Sequence, residues 1–123
     1  MECIFCKIIK REIPSYTIFE DEIIEVFLDI NAISKGHMLI VPKEHFVDLE
    51  KIPLDVLTHI QKRSKEMLIL INECLKSDGV KLLQNNGHIQ DVKHYHLHLI
   101  PFYLKKQKPV NLEEVYKLLK KEN

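Results

Sequence analysis

Three histidines, His94, His96 and His98, alternate with Tyr95, Leu97 and Leu99 in a run that ends at Pro101. Strict alternation of this kind marks a half-buried β-strand. The three imidazoles are therefore expected on one sheet face, with the three apolar side chains in the core behind them. An imidazole near neutral pH serves as nucleophile, proton carrier or metal ligand. Spacing limits how the three can share that work. Residues two apart on a strand start about 6.8 Å apart, and residues four apart roughly 13–14 Å. One ion reaches two neighbours but not all three, so the run predicts divided labour rather than a single three-histidine metal site. The second pattern with chemical content is Cys3-Ile4-Phe5-Cys6. A redox pair of the thioredoxin type follows a strand and opens a long helix. No strand-like stretch precedes Cys3, which favours metal binding, and histidine is the natural supplier of the two missing ligands.

These residues must be carried by a small scaffold. The 123 residues are 46% hydrophobic, which fits one domain over 1–123, with a core over about 1–103 and a C-terminal helix over about 111–121. A net charge of +0 argues against a protein that grips a nucleic acid polymer. Neither a signal peptide nor a long apolar span is visible, so a cytoplasmic protein with reduced thiols and no membrane segment is expected.

Apolar and β-branched runs predict strands over 16–20, 23–30, 37–41, 80–85 and 92–102. Leu54 to about Leu75 keeps Leu57, Ile60, Met67, Leu68, Ile71 and Leu75 at helical spacing, with Ser64 in the remaining slot. Cys74 lies on that face and reads as core; His59 lies off it and reads as surface. Ser77-Asp78-Gly79 supplies a stop signal. Asn111 and Glu114 form a capping pattern for a last helix, whose end is complemented by Lys120 and Lys121. The order predicts an α+β domain: a five-stranded antiparallel sheet, one long helix and a short C-terminal helix, with the helices on one side.

The run 94–100 resembles the defining motif of the histidine-triad (HIT) superfamily. Cys3-Ile4-Phe5-Cys6-Lys7-Ile8-Ile9, Glu12-Ile13-Pro14, Phe27-Leu28-Asp29-Ile30, Gly36-His37-Met38-Leu39-Ile40-Val41-Pro42-Lys43-Glu44-His45 and Asn85-Asn86-Gly87 are similar to its Hint-like branch, zinc-bearing members included. The resemblance implies a HIT-like fold and a homodimer. It implies a nucleotide hydrolase or nucleotidyl transferase acting at the α-phosphate of purine nucleoside phosphoramidates or dinucleoside polyphosphates. In that reading His96 attacks phosphorus to form a nucleotidyl-histidine, His98 serves the phosphoryl oxygen or leaving group, and His37 orients His98. The resemblance further implies that Asp29 binds the ribose, that Ile18, Phe19 and Phe27 wall the base pocket, and that Asn85 and Gln90 hold phosphate oxygens. Cys3, Cys6, His45 and His94 would bind a structural zinc.

Plainer readings stand beside these. Ile18 and Phe27 read equally well as strand core. Asp29 reads as a surface carboxylate at a strand end, Asn85 and Gln90 as turn chemistry, and His45 as a surface side chain. The chain also departs from the pattern: His88-Ile89 replaces a longer connection with glycine before Gln90, and Asp91 stands where relatives often carry a hydroxyl or an acid. Two rival functions follow, a nucleotide-binding module with little turnover and a purely structural zinc protein.

Overall fold

The computed structural model describes residues 3–120, so Met1, Glu2 and Lys121, the last of these expected to complement the final helix, lie outside the described residues. The elements are α1 (Ile4–Ile9), β1 (Thr17–Glu20), β2 (Ile24–Leu28), β3 (Met38–Pro42), α2 (Leu54–Leu75), β4 (Gly79–Leu83), β5 (Leu97–Phe102) and α3 (Leu112–Lys120). The strands form one antiparallel sheet in the order β1-β2-β3-β5-β4. Helix α2 therefore carries the chain from the middle of the sheet to its edge, and β5 returns between β3 and β4. Among the described residues, no helix is long and apolar enough to cross a membrane.

Period-2 alternation gives the sheet two apolar faces. Ile24, Val26, Leu28, Met38, Ile40, Leu97 and Leu99 pack against Ile60, Met67, Ile71 and Leu75 of α2 and Val115 and Leu119 of α3. Phe27, Leu39 and Val41 point the other way and pack against Cys3, Phe5 and Ile8. The expectation that the long and the C-terminal helix share one side thus holds for α2 and α3, and α1 covers the other face. Phe5 and Ile8 are spaced to cover the second face, and they close the part of it that would otherwise expose Phe27 and Leu39.

Three further differences have local causes. Strand β5 begins at Leu97 rather than Val92, because the Tyr95 N–H donates to the Phe46 carbonyl at 2.7 Å instead of to a ladder partner. Helix α2 ends on Lys76, which takes the left-handed conformation at φ 54, while Gly79 opens β4. His59 is half-buried rather than free on the surface. Its Nε2 donates to Asp21 Oδ2 at 2.7 Å and Arg63 Nε does so at 3.1 Å, while the amides of Ile23 and Ile24 donate to Oδ1. Burial by itself works to raise the Asp21 pKa, but the hydrogen bonds from His59, Ile24, Ile23 and Arg63 outweigh it and hold the carboxyl below its usual range. This cluster ties the β1–β2 turn to α2. Asp21→Ala is expected to lower stability by about 2 kcal/mol in urea unfolding at pH 7. A depressed folded pKa means that the contribution is complete above the unfolded value and is lost as pH falls through the folded one, so the deficit of the variant shrinks in acid.

Gly36 makes the turn into β3 with φ +91, and a Cβ there would run into Leu75 Cδ1 and approach Pro101 Cγ to 3.3 Å. Gly36→Ala is expected to cost about 2 kcal/mol by chemical denaturation and to disturb His37, the next residue.

Candidate active site

Both chemical patterns lie on the α1 side of the sheet. Cys3 and Cys6 bracket the first turn of α1, and the Cys6 N–H donates to Cys3 Sγ. His45 follows β3 and His94 precedes β5. Cys3 Sγ lies 3.4 Å from His94 Nδ1, Cys6 Sγ 3.2 Å from His45 Nδ1, and the two Nδ1 atoms are 3.1 Å apart. All four ligand atoms fall within 4.8 Å of one another. A tetrahedron with Zn–S near ~2.3 Å and Zn–N near ~2.0 Å has edges of about 3.3–3.8 Å, so the donor set fits a four-coordinate ion. The protonation pattern fits as well. His94 Nε2 donates to the Pro42 carbonyl at 2.8 Å, which leaves Nδ1 bare toward the thiols. Burial lowers the His94 pKa to about 4, keeping the ring a neutral donor. Burial and the neighbouring Cys3 push the Cys6 thiol up; a bound divalent cation would reverse that shift.

The other two triad histidines face away from this cluster. His96 Nδ1 donates to the His94 carbonyl at 2.7 Å. A carbonyl only accepts, so in the neutral ring the proton sits on Nδ1 and the lone pair on Nε2. The Phe5 ring meets the edges of His96 and His94 at centroid distances of 5.0 and 5.9 Å, so α1 holds both rings. His98 lies between Leu39 of β3 and Leu83 of β4 in the ladder. Its Nδ1 is 2.9 Å from His37 Nε2, and His37 Nδ1 takes the Ile33 N–H at 3.0 Å. A backbone amide only donates, so His37 carries its proton on Nε2 and gives it to His98 Nδ1, and His98 presents Nε2–H to the open side. Burial pushes both pKa values down. The charges of His96 and His37 add to the fall at His98, and Asp29 opposes it at both rings. His37 is thus brought to His98 as expected.

Asp29 stands at the end of β2, with Oδ2 3.5 Å from His37 Nε2 and Oδ1 accepting from the Asn31 amide at 2.8 Å. It rims an apolar hollow of ≈ 70 Å³ lined by Ile4, Phe5, Ile8, Ile13 and Phe27 among others. Of the three expected pocket walls, only Phe27 is here. Ile18 is buried on the opposite, α2 side of the sheet, and Phe19 lies under Arg63, whose guanidinium carbon is 5.0 Å from the ring centroid. The bulge between Thr17 and Phe19 changes the side-chain alternation there. Phe5 and Ile8 line the hollow instead, and their i, i+3 spacing on a helix was the available signal.

The two residues expected to hold phosphate oxygens also divide. Asn85 follows β4 two residues beyond the Leu83–His98 pair, with its backbone carbonyl taking the Gln84 side chain. The Gln90 amide is committed at both ends: Oε1 accepts from the Gly87 N–H at 3.1 Å and Nε2 donates to the Val47 carbonyl at 2.7 Å. The structure therefore makes Gln90 a staple of the 87–90 turn and does not aim its amide at the triad. Asp91, next in sequence, places Oδ1 3.3 Å from His96 Nε2.

The alternating His94, His96 and His98 at the entry of β5, with His37 against His98, form the pattern of the histidine-triad class. The HIT domain family matches residues 10–104, and the chain belongs to that family. It is 41% identical to an uncharacterized HIT-like protein of Methanocaldococcus jannaschii over 96% of this chain and 98% of that one. It is 45% identical to the adenosine 5′-monophosphoramidase of Candida albicans over 80% of this chain and 69% of that one. Among solved structures, a zinc-bound histidine triad family protein from Mycobacterium smegmatis superposes with a TM-score of 0.89 at 32% identity, covering 98% of this chain and 92% of the other.

Proposed function

We propose that the protein is a nucleotide hydrolase or nucleotidyl transferase that cuts at the α-phosphate of purine nucleoside phosphoramidates or dinucleoside polyphosphates. The observation that carries this reading is the bond from His96 Nδ1 to the His94 carbonyl, which puts the lone pair of the neutral ring on Nε2. His96 Nε2 attacks the α-phosphorus and the P–N or P–O bond breaks, while His98 Nε2–H donates a hydrogen bond to the phosphoryl oxygen and the leaving group takes its proton from water. A second water then attacks the nucleotidyl-histidine, the P–Nε2 bond breaks and restores His96, and the nucleoside monophosphate leaves with the spare proton passing to solvent. His37 keeps the proton of His98 on Nε2 through its own bond to Nδ1. Asp29 accepts from the ribose hydroxyls while the base lies in the Phe5–Phe27 hollow, and Asn85 reaches a phosphate oxygen. The kinship with an adenosine 5′-monophosphoramidase supports the phosphoramidate class.

Cys3, Cys6, His45 and His94 hold a structural zinc in this reading, and the zinc-bound relative supports it. The ion would lock α1 to the entry of β5, which positions His96 without taking part in the reaction. A homodimer through the β4 edge is supported by the exposure of Leu82 on β4, 44%, and of Phe102 at the end of the adjoining β5, 56%.

The test is release of AMP from adenosine 5′-phosphoramidate and diadenosine triphosphate by the purified protein, followed by chromatography. No AMP from either would overturn the reading. The engaged Gln90 amide, which removes one phosphate donor, favours a second reading, a nucleotide-binding module with little turnover. That module would bind AMP tightly and release none.

A further inference from the structure

Asp91 is a carboxylate at the point where the reacting phosphorus must come. Its Oδ1 lies 3.3 Å from His96 Nε2, the one nitrogen of that ring left free by the bond to the His94 carbonyl. The side chain is 77% exposed, so its charge faces the solvent side of the site rather than the core. Its placement is set by the fold. Oδ1 also accepts from the Val92 N–H at 2.9 Å, and the preceding Gln90 is buried and bonded at both ends of its amide. No lysine or arginine among the described residues pairs with it; the nearby Lys93 ammonium donates instead to the Gly87 carbonyl.

A fixed, uncompensated negative charge beside the nucleophile acts on every substrate by charge. Unscreened charges influence one another over about 8 Å at physiological ionic strength. The group leaving the α-phosphorus falls inside that range. Further phosphates there meet repulsion, whereas an amine bearing positive charge meets attraction, and discrimination by unfavourable placement is as effective as discrimination by added contacts.

Resting on the hydrolase reading above, we propose that Asp91 is a specificity-determining residue that selects nucleoside phosphoramidates with a cationic amine leaving group against dinucleoside polyphosphates. It also gives the turn residue Gln90 a purpose, as the staple that presents the Asp91 carboxylate.

The experiment compares the full-length wild type with Asp91→Asn, an exchange of nearly equal shape at an exposed position. The substrates are adenosine 5′-phosphoramidate carrying an aminobutyl group and diadenosine triphosphate. The ratio of kcat/KM for the first over the second is expected to fall at least tenfold in Asp91→Asn, chiefly through a lower KM for the polyphosphate. It is also expected to widen in the wild type as salt is lowered. A ratio that changes less than twofold overturns the proposal. Calorimetry with AMP and ATP gives a readout without turnover. Asp91→Asn is expected to bind ATP at least fivefold more tightly and AMP less than threefold more tightly, and equal ATP affinities in the two proteins overturn the proposal. If AMP binds but no substrate is cut, the hydrolase reading falls and the calorimetric comparison alone decides the role of Asp91. If neither nucleotide binds, both fall.

Discussion

His96→Ala is expected to lower AMP release by about 10⁴-fold or more, while AMP binding changes less than about threefold. The scale follows from removing a covalent nucleophile whose role no neighbour can take over. His98 Nδ1 is committed to His37, and His94 has its Nδ1 turned to the cysteines and its Nε2 to Pro42. The ring of His96 is buried on Phe5, so the variant also leaves a cavity and is expected to lose some stability. Metal content and AMP affinity separate the two effects: both are retained if only the nucleophile is lost. A variant that keeps more than a tenth of the wild-type rate would sink the nucleotidyl-histidine mechanism. His98→Ala, which removes a donor and keeps the nucleophile, is expected to cost about 10²–10³-fold, as for other single donors at a reacting oxyanion.

The second large effect is on stability. Cys6→Ser, or chelation of the wild type, is expected to remove the metal and to lower the thermal midpoint by more than about 10 °C at pH 7. Metal binding that requires a folded site adds its free energy to folding, and roughly 3 kcal/mol is enough for such a shift in a domain of this size. The ligands come from α1, the segment after β3 and the segment before β5, so the ion would cross-link three parts of the chain far apart in sequence. Unchanged melting and unchanged metal content would refute the zinc assignment. Acid should act in the same direction. Burial puts the His94 pKa at about 4 and those of His37 and His98 below the ordinary value. A histidine whose folded pKa lies below its unfolded value of about 6.5 stabilises fully above that value and loses its contribution as pH falls toward the folded one. The metal-free protein is therefore expected to melt lower at pH 5 than at pH 7, and the metal-loaded protein to lose its ion over the same interval. A flat profile from pH 7 to pH 4 would contradict the burial of these rings.

Local patterns in the chain determined a good deal. The alternation of residues 94–99 predicted a core face of Tyr95, Leu97 and Leu99, and these three are buried there. The apolar stripe from Leu54 to Leu75 predicted α2 at its observed limits. Family motifs were enough to name the four residues that converge as Cys3, Cys6, His45 and His94, and to place His37 against His98. Such features are legible because each depends on periodicity or on a motif read directly along the chain.

What only the tertiary structure decided depends on residues distant in sequence. The Phe46 carbonyl takes the Tyr95 N–H, which delays β5 and lets His94 turn to the thiols. A bulge in β1 sends Ile18 to the α2 side, and α1 crosses to the other face, so that Phe5 and Ile8 rather than Ile18 and Phe19 stand by the hollow. The proton positions on His96, His98 and His37 follow from which partner accepts and which donates, a carbonyl in one case and an amide in another. Spacing places three rings in a row; only packing and hydrogen-bond partners give the three different chemistry.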